Sequence, residues 1–105
     1  MANQARKIIV VSFDEAEIAK WSEAELLCVV ISMYESRHRQ NSHLEDIREA
    51  LGENGRPRSA QAITNYMGGS GSIGLAGWSK LYDLTHYEII PAWIRLKMPF
   101  LFEAL

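Results

Sequence analysis

Apolar and polar positions along this chain recur mostly at helical spacing, and several of the helical stretches are introduced by a recognisable cap. Ser22 and Glu25 are spaced for a capping box, in which the serine hydroxyl takes the amide three residues on and the glutamate returns to the serine amide. Trp21 and Leu26 flank that box as a hydrophobic staple. The helix they open, over residues 22–35, carries Leu26, Leu27, Val29, Val30, Ile31, Met33 and Tyr34. That apolar surface is too wide for a helix lying on the outside of a domain, so this helix is expected at the centre of the core. Arg37, His38 and Arg39 follow it, where cations oppose the partial negative charge of the last carbonyls. Upstream, Asp14 with Glu17, flanked by Phe13 and Ile18, repeats the box and staple and predicts one or two helical turns ending near Lys20. The stretch before it, residues 7–13, is β-branched and almost continuously apolar, the pattern of a short buried strand or of an arm reaching another subunit.

Two shorter amphipathic helices follow. Leu44, Ile47 and Leu51 recur at helical spacing behind a Ser42/Glu45 box, and Ser59 can cap a second helix with Ala62, Ile63, Tyr66 and Met67 on its apolar face. Gly52, Gly55 and Pro57 lie between them and separate the two, which is the sequence form of a helix-turn-helix. Residues 68–77 hold five glycines and no charge, a loop composition that flexes or approaches something closely. Trp78, Leu81, Tyr82 and Leu84 then resume helical spacing as a fourth helix. The remainder is ambiguous in period. Ile94, Leu96 and Met98 alternate with Arg95 and Lys97 as in a strand, which would pair antiparallel with residues 7–13, whereas Pro91 equally suits a first helical turn.

The pattern thus predicts one mainly α domain over residues 1–105. Its parts are a strand or arm at 7–13, a helix-turn-helix bundle of about four helices at 21–84, and an apolar extension at 85–105, with a two-stranded sheet if the termini pair. At 105 residues and 48% hydrophobic composition the chain can bury a core and is not expected to be disordered. The single cysteine, Cys28, sits in an apolar run and reads as core, which excludes an internal disulfide and fits a reducing compartment. No apolar stretch reaches the roughly twenty residues that span a bilayer, and the N-terminal run is too short for a secretory signal. A cytoplasmic protein without membrane partners is the expectation.

Candidate chemistry is sparse. Gly69, Gly71 and Gly74 satisfy the glycine spacing of a dinucleotide-binding turn, yet a helical stretch precedes them where a strand is required, so a plain loop is the better reading and no cofactor is expected. His38, Asn41 and His43 crowd a helix-helix junction and cannot spread around a metal, and His86 stands alone. Neither a catalytic set nor a metal site is expected. The formal charge of −2 argues against general coating of nucleic acid, so local charge decides. Between positions 56 and 80 the charged residues are Arg56, Arg58 and Lys80, all cationic. Gln61 and Asn65 share the helix face opposite Ile63 and Met67, with Thr64 beside them, and their amides can donate and accept at once to an adenine edge. With Ser59 at the cap, these seven residues are the candidate DNA surface, although the same face would serve as a plain solvated one.

The runs WSEAELLCVVISMYESR, NSHLEDIREALGENGRPRSAQAITNYM and GLAGWSKLYDL resemble the small helical domain found ahead of the catalytic domain in many bacterial HNH endonucleases of the restriction type. Trp21, Leu51, Gly52, Arg58, Ser59, Ile63, Tyr66, Ser79, Lys80 and Leu81 carry the resemblance, which spans residues 21–84. It implies a DNA-handling module with the helix behind Arg58 and Ser59 nearest the nucleic acid. The turn GENGRPR is longer here, and the segment after Leu84 is too short for the nuclease, so binding rather than cleavage is implied. The rival expectation is a protein-interaction module, an inhibitor or adaptor, that uses Trp93, Phe100 and Phe102 of its apolar tail to hold a second copy or another protein. Acidic Glu45, Asp46, Glu49 and Glu53 favour that rival, since they repel phosphates.

Overall fold

The computed structural model describes residues 14–37 and 43–97, and among them the chain is all α. Six helices follow in order: α1 (Glu15–Ile18), α2 (Glu23–Arg37), α3 (His43–Ala50), α4 (Ala60–Met67), α5 (Gly74–Thr85) and α6 (Ile89–Lys97). The caps explain several starts. Asp14 accepts the Ala16 amide ahead of α1 at 3.0 Å, and Ser59 accepts the Ala62 amide ahead of α4 at 3.1 Å. At α2 the reciprocal box is complete, with the Ser22 amide donating to Glu25 at 2.8 Å and the Glu25 amide to Ser22 Oγ at 3.1 Å.

Helix α2 is the centre of the domain, with Leu26, Leu27, Val30, Ile31 and Tyr34 buried. It packs on α3 and α4; α3 packs on α4 and α5, and α6 closes the opposite side against α5 and α1. Ile47, Leu51, Ile63, Trp78, Leu81 and the buried residues of α6 complete one continuous cluster, with Trp21, Leu44 and Tyr66 partly buried against it. Polar groups fasten this shell where helices meet. Tyr34 donates to Asp46 Oδ2 at 2.9 Å between α2 and α3, Trp93 Nε1 donates to the Trp21 carbonyl at 3.1 Å, and Arg95 reaches Glu15 at 3.4 Å from α6 to α1. No described helix is long and apolar enough to cross a membrane.

One expectation is extended, one open choice is decided and one boundary is corrected. Residues 21–84 hold four helices, as expected, and α1 and α6 bring the described residues to six. The alternation at residues 94–98 does not produce a strand: residues 89–97 are helical, and the decisive period is Ile90, Trp93 and Ile94, all buried on one face. Pro91 lies in the first turn, where its missing amide is not needed, and Arg95 and Lys97 occupy the last turn, where their charge is favourable. Its expected partner at residues 7–13 lies outside the described residues, as does the Ser42 cap, and among the described residues there is no strand, only an isolated bridge between Glu53 and Arg56. Finally, the glycine segment is a loop only as far as Ile73, and its last four residues begin α5. Gly77 is required there because a Cβ would stand 2.8 Å from that of Ile73.

Two measurements test this architecture. Amides of α2 between Leu26 and Tyr34 should exchange slowest with solvent, and their appearance among the first to exchange would contradict a central α2. The Tyr34 phenol is pushed up to about 12, first by burial and then by its hydrogen bond to Asp46 and that carboxylate's charge. Its folded value lies above the unfolded one near 10, so its stabilising contribution is whole below pH 10 and lost as pH rises to 12. Urea unfolding of Tyr34→Phe should lose that part of the alkaline fall in stability; an identical pH profile would refute it.

Candidate nucleic-acid interface

The connection from α3 to α4, Leu51 to Ser59, is built around one tight turn. Asn54 and Gly55 both have positive φ, 55° and 76°, the geometry of a type I′ turn, and Glu53 and Arg56 exchange two backbone hydrogen bonds of 3.0 Å. The Asn-Gly pair announces such a turn from sequence, a signal overlooked when the segment is treated as a plain helix breaker. Gly52 is obligatory beside it, because a Cβ would lie 2.1 Å from the Arg56 carbonyl oxygen.

Around this turn two arginines and a lysine close on backbone carbonyls. The Arg58 amide donates to the Arg48 carbonyl at 2.8 Å, and Arg48 Nε returns to the Arg58 carbonyl at 2.7 Å, locking the end of α3 to the start of α4. The Arg58 guanidinium donates to the Leu51 carbonyl at 3.3 Å and pairs with Glu53 at 3.0 Å, while Lys80 of α5 reaches the Gly52 carbonyl at 3.3 Å. Arg58 and Lys80 therefore share one side of the turn. They line a cavity of about 100 Å³ together with Leu51, Glu53, Tyr66, Ser72 and Ile73. Arg56 sits apart, exposed, in a second concavity with Glu49, Gly52 and Pro57, and makes no side-chain hydrogen bond or ion pair among the described residues.

Helix α4 presents two faces. Ile63 is buried and Tyr66 and Met67 are half-buried against the core, while Gln61, Thr64 and Asn65 are exposed on the other side. Gln61 Nε2 donates to Asn65 Oδ1 at 3.0 Å, so the two amides form one unit with the glutamine oxygen and the asparagine NH2 left free to face outward. The Ser59 hydroxyl is used by its cap. Of the seven candidate residues, six thus lie on or beside the α3–α4 connection and α4, and Lys80 joins them from α5. The surface is mixed in sign, since Glu53 neutralises Arg58, and Glu45, which pairs with Arg48 at 3.0 Å, belongs to the neighbouring α3.

The glycine loop owes its shape to a residue that sequence patterning did not single out. Glu23, in the first turn of α2, accepts from Ser72 Oγ at 2.9 Å, from the Ile73 amide at 3.2 Å and from Trp78 Nε1 at 3.0 Å. Gly69, Gly71 and Gly74 take positive φ, and the loop they form follows α4 rather than a strand. The Glu23 carboxylate thus takes one amide of this loop, that of Ile73, and ties the loop to α2. No group of three or more His, Cys, Asp or Glu side chains suited to a metal occurs among the described residues. His86 caps α5 in a left-handed conformation with its ring edge-on to Tyr82, and His38 and Asn41 lie outside the described residues.

The tail assignment changes for Trp93. It is 4% exposed, its indole N–H is taken by Trp21, and its ring lies 6.1 Å from that of Trp78, so it is core rather than contact surface. An indole on the buried face of an amphipathic helix is drawn inward once a carbonyl is in reach of its N–H. Phe100 and Phe102 lie outside the described residues. Comparison with family models, with curated proteins and with solved structures finds no match for this chain.

Gly52→Ala tests whether the turn is as tight as described. It should lower stability by about 1–3 kcal/mol in urea unfolding, because the connection must open to admit the methyl group. An unchanged midpoint would mean that Arg56 does not pack against Gly52.

Proposed function

We propose that this chain is a non-catalytic DNA-binding protein in which α3 and α4 act as the helix pair of a helix-turn-helix and α4 meets the major groove. The observation that carries the reading is the exposed, carboxylate-free face of α4 formed by Gln61, Thr64 and Asn65, with Arg56 exposed on the turn that precedes the helix. The paired amides offer an acceptor and a donor side by side, which complements the N6 amino group and N7 of adenine. Arg56 supplies an exposed cation for the phosphate backbone, and Ser59 sets the start of the helix. The resemblance to the small domains that accompany HNH endonucleases supports the same assignment, and it makes the chain a DNA-handling accessory of a restriction, defence or phage system.

The acidic side of α3 and the exposed Leu96 at the end of α6 favour a second reading, a protein-interaction module without DNA affinity. Fluorescence anisotropy with a random duplex at about 50 and 150 mM salt separates the two. Under the DNA reading, Arg56→Gln lowers the salt slope by about one. Gln61→Ala and Asn65→Ala each cost about 1–3 kcal/mol on a preferred site and relax its sequence. Absence of duplex binding at the lower salt would leave the interaction module.

A further inference from the structure

We infer that the notch between the α3–α4 turn and α5 is an oxyanion site for a backbone phosphate of DNA, and that Glu53 occupies it as a displaceable internal carboxylate. The inference rests on the DNA reading for the source of the phosphate and on local geometry for the site itself. Two cations from different elements, Arg58 and Lys80, line one cavity of about 100 Å³, which is room for a small polyatomic ion. Lys80 has no charged partner among the described residues, and Arg58 has only a solvent-exposed one. Lys80 Nζ donates to a neutral carbonyl, that of Gly52, at 3.3 Å. One terminal nitrogen of Arg58, Nη2, meets Glu53 Oε1 at 3.0 Å in a pair whose side chains are 33% and 64% exposed, and exposed pairs of this kind hold weakly.

Exchange needs no rearrangement of the backbone. Glu53 is fixed through its own amide and carbonyl, both bonded to Arg56, so its carboxylate can swing into solvent while the turn stays closed. Arg58 keeps its Nε bond to the Leu51 carbonyl, which holds the guanidinium in place. A phosphate then takes the position of the carboxylate, with oxygens enough for Arg58 and Lys80 together. Glu53 brings the local charge of the notch from two positive to one, so it acts as a brake on weak or non-specific engagement of the backbone.

Glu53→Gln removes the charge and keeps the size and an oxygen that can still accept from Arg58. It should tighten binding of a random duplex about two- to five-fold at low salt, with the gain shrinking as salt rises. Adding Lys80→Gln should cancel the gain, and Glu17→Gln, the same change in net charge placed on α1, should produce none. Inorganic phosphate, compared with chloride at equal ionic strength, should raise the melting temperature of Glu53→Gln more than that of the native chain. Equal duplex affinity and equal phosphate response in Glu53→Gln and the native chain would overturn the site, and the effect of Arg56→Gln would then show whether the DNA reading survives. Should no chain bind duplex while phosphate still stabilises Glu53→Gln through Lys80, the site stands with free phosphate as its ligand and the DNA reading falls.

Discussion

Everything in this domain depends on covering α2. Five of its side chains, Leu26, Leu27, Val30, Ile31 and Tyr34, are buried, and they do not fall on a single narrow stripe. At about 1.5–3 kcal/mol for each large apolar side chain removed from water, they are a major source of the folding free energy. A helix that is apolar over so much of its circumference cannot be satisfied by one neighbour. It packs on α3 and α4, and Trp93 of α6 docks at its entry through the Trp21 carbonyl. The polar links fall at the edges of this arrangement, where Tyr34 meets Asp46 and Glu23 gathers Ser72, Ile73 and Trp78. Such bonds add modest net stability, and their stronger effect is to fix register, since a slip would leave a carboxylate or indole without its partner.

The α3–α4 connection shows how the core's demand shapes the candidate surface. Buried Ile47 and Leu51 commit α3 to the core, and buried Ile63 commits α4, so the chain between them must turn within a short distance. The Asn54–Gly55 turn does this, flanked by the carbonyls of Leu51, Gly52 and Arg58. Arg48, Arg58 and Lys80 then have to satisfy those carbonyls. The cations that resemble a phosphate-binding set are therefore also the groups that hold the connection together, and only Arg56 of the three candidate cations has no such duty.

The parts of the fold that were legible are those governed by local rules. Ser22 with Glu25, Asp14 and Ser59 all mark helix starts that the structure contains, because a cap is decided by residues within one turn. The core membership of Leu26, Val30, Ile47, Leu51 and Ile63 was equally readable from helical spacing. What was not legible depends on distant partners. The alternation through Ile94 and Leu96 fits two periods, and only the buried positions of Ile90 and Trp93 decide for the helix. Glu23 looks like an ordinary acidic residue of a first helical turn until residues fifty positions later are folded onto it. In the candidate site, the exposure of Gln61 and Asn65 followed from the apolar face opposite them, but the engagement of Arg58 with Leu51 and Glu53 could not, since it requires the turn to be built.

Arg58 also shows why a count of cations is a poor guide to a phosphate surface. From sequence, residues 56–80 contain three positive charges and no negative one, yet Glu53 lies just outside that window and pairs with Arg58 near its start. The field a phosphate meets is set by distance in space, and at 3.0 Å a carboxylate on Arg58 cancels most of its reach beyond the first shell of water. A surface of this composition can still recognise DNA, but mainly where the partner brings its own anion close enough to compete for the guanidinium. Under the proposed DNA reading, affinity would then depend on fit at the α4 face more than on attraction at a distance. The acidic balance of the chain fits the proposed reading, in which weak long-range attraction would disfavour non-specific binding and leave the amide pair of Gln61 and Asn65 to discriminate among sites.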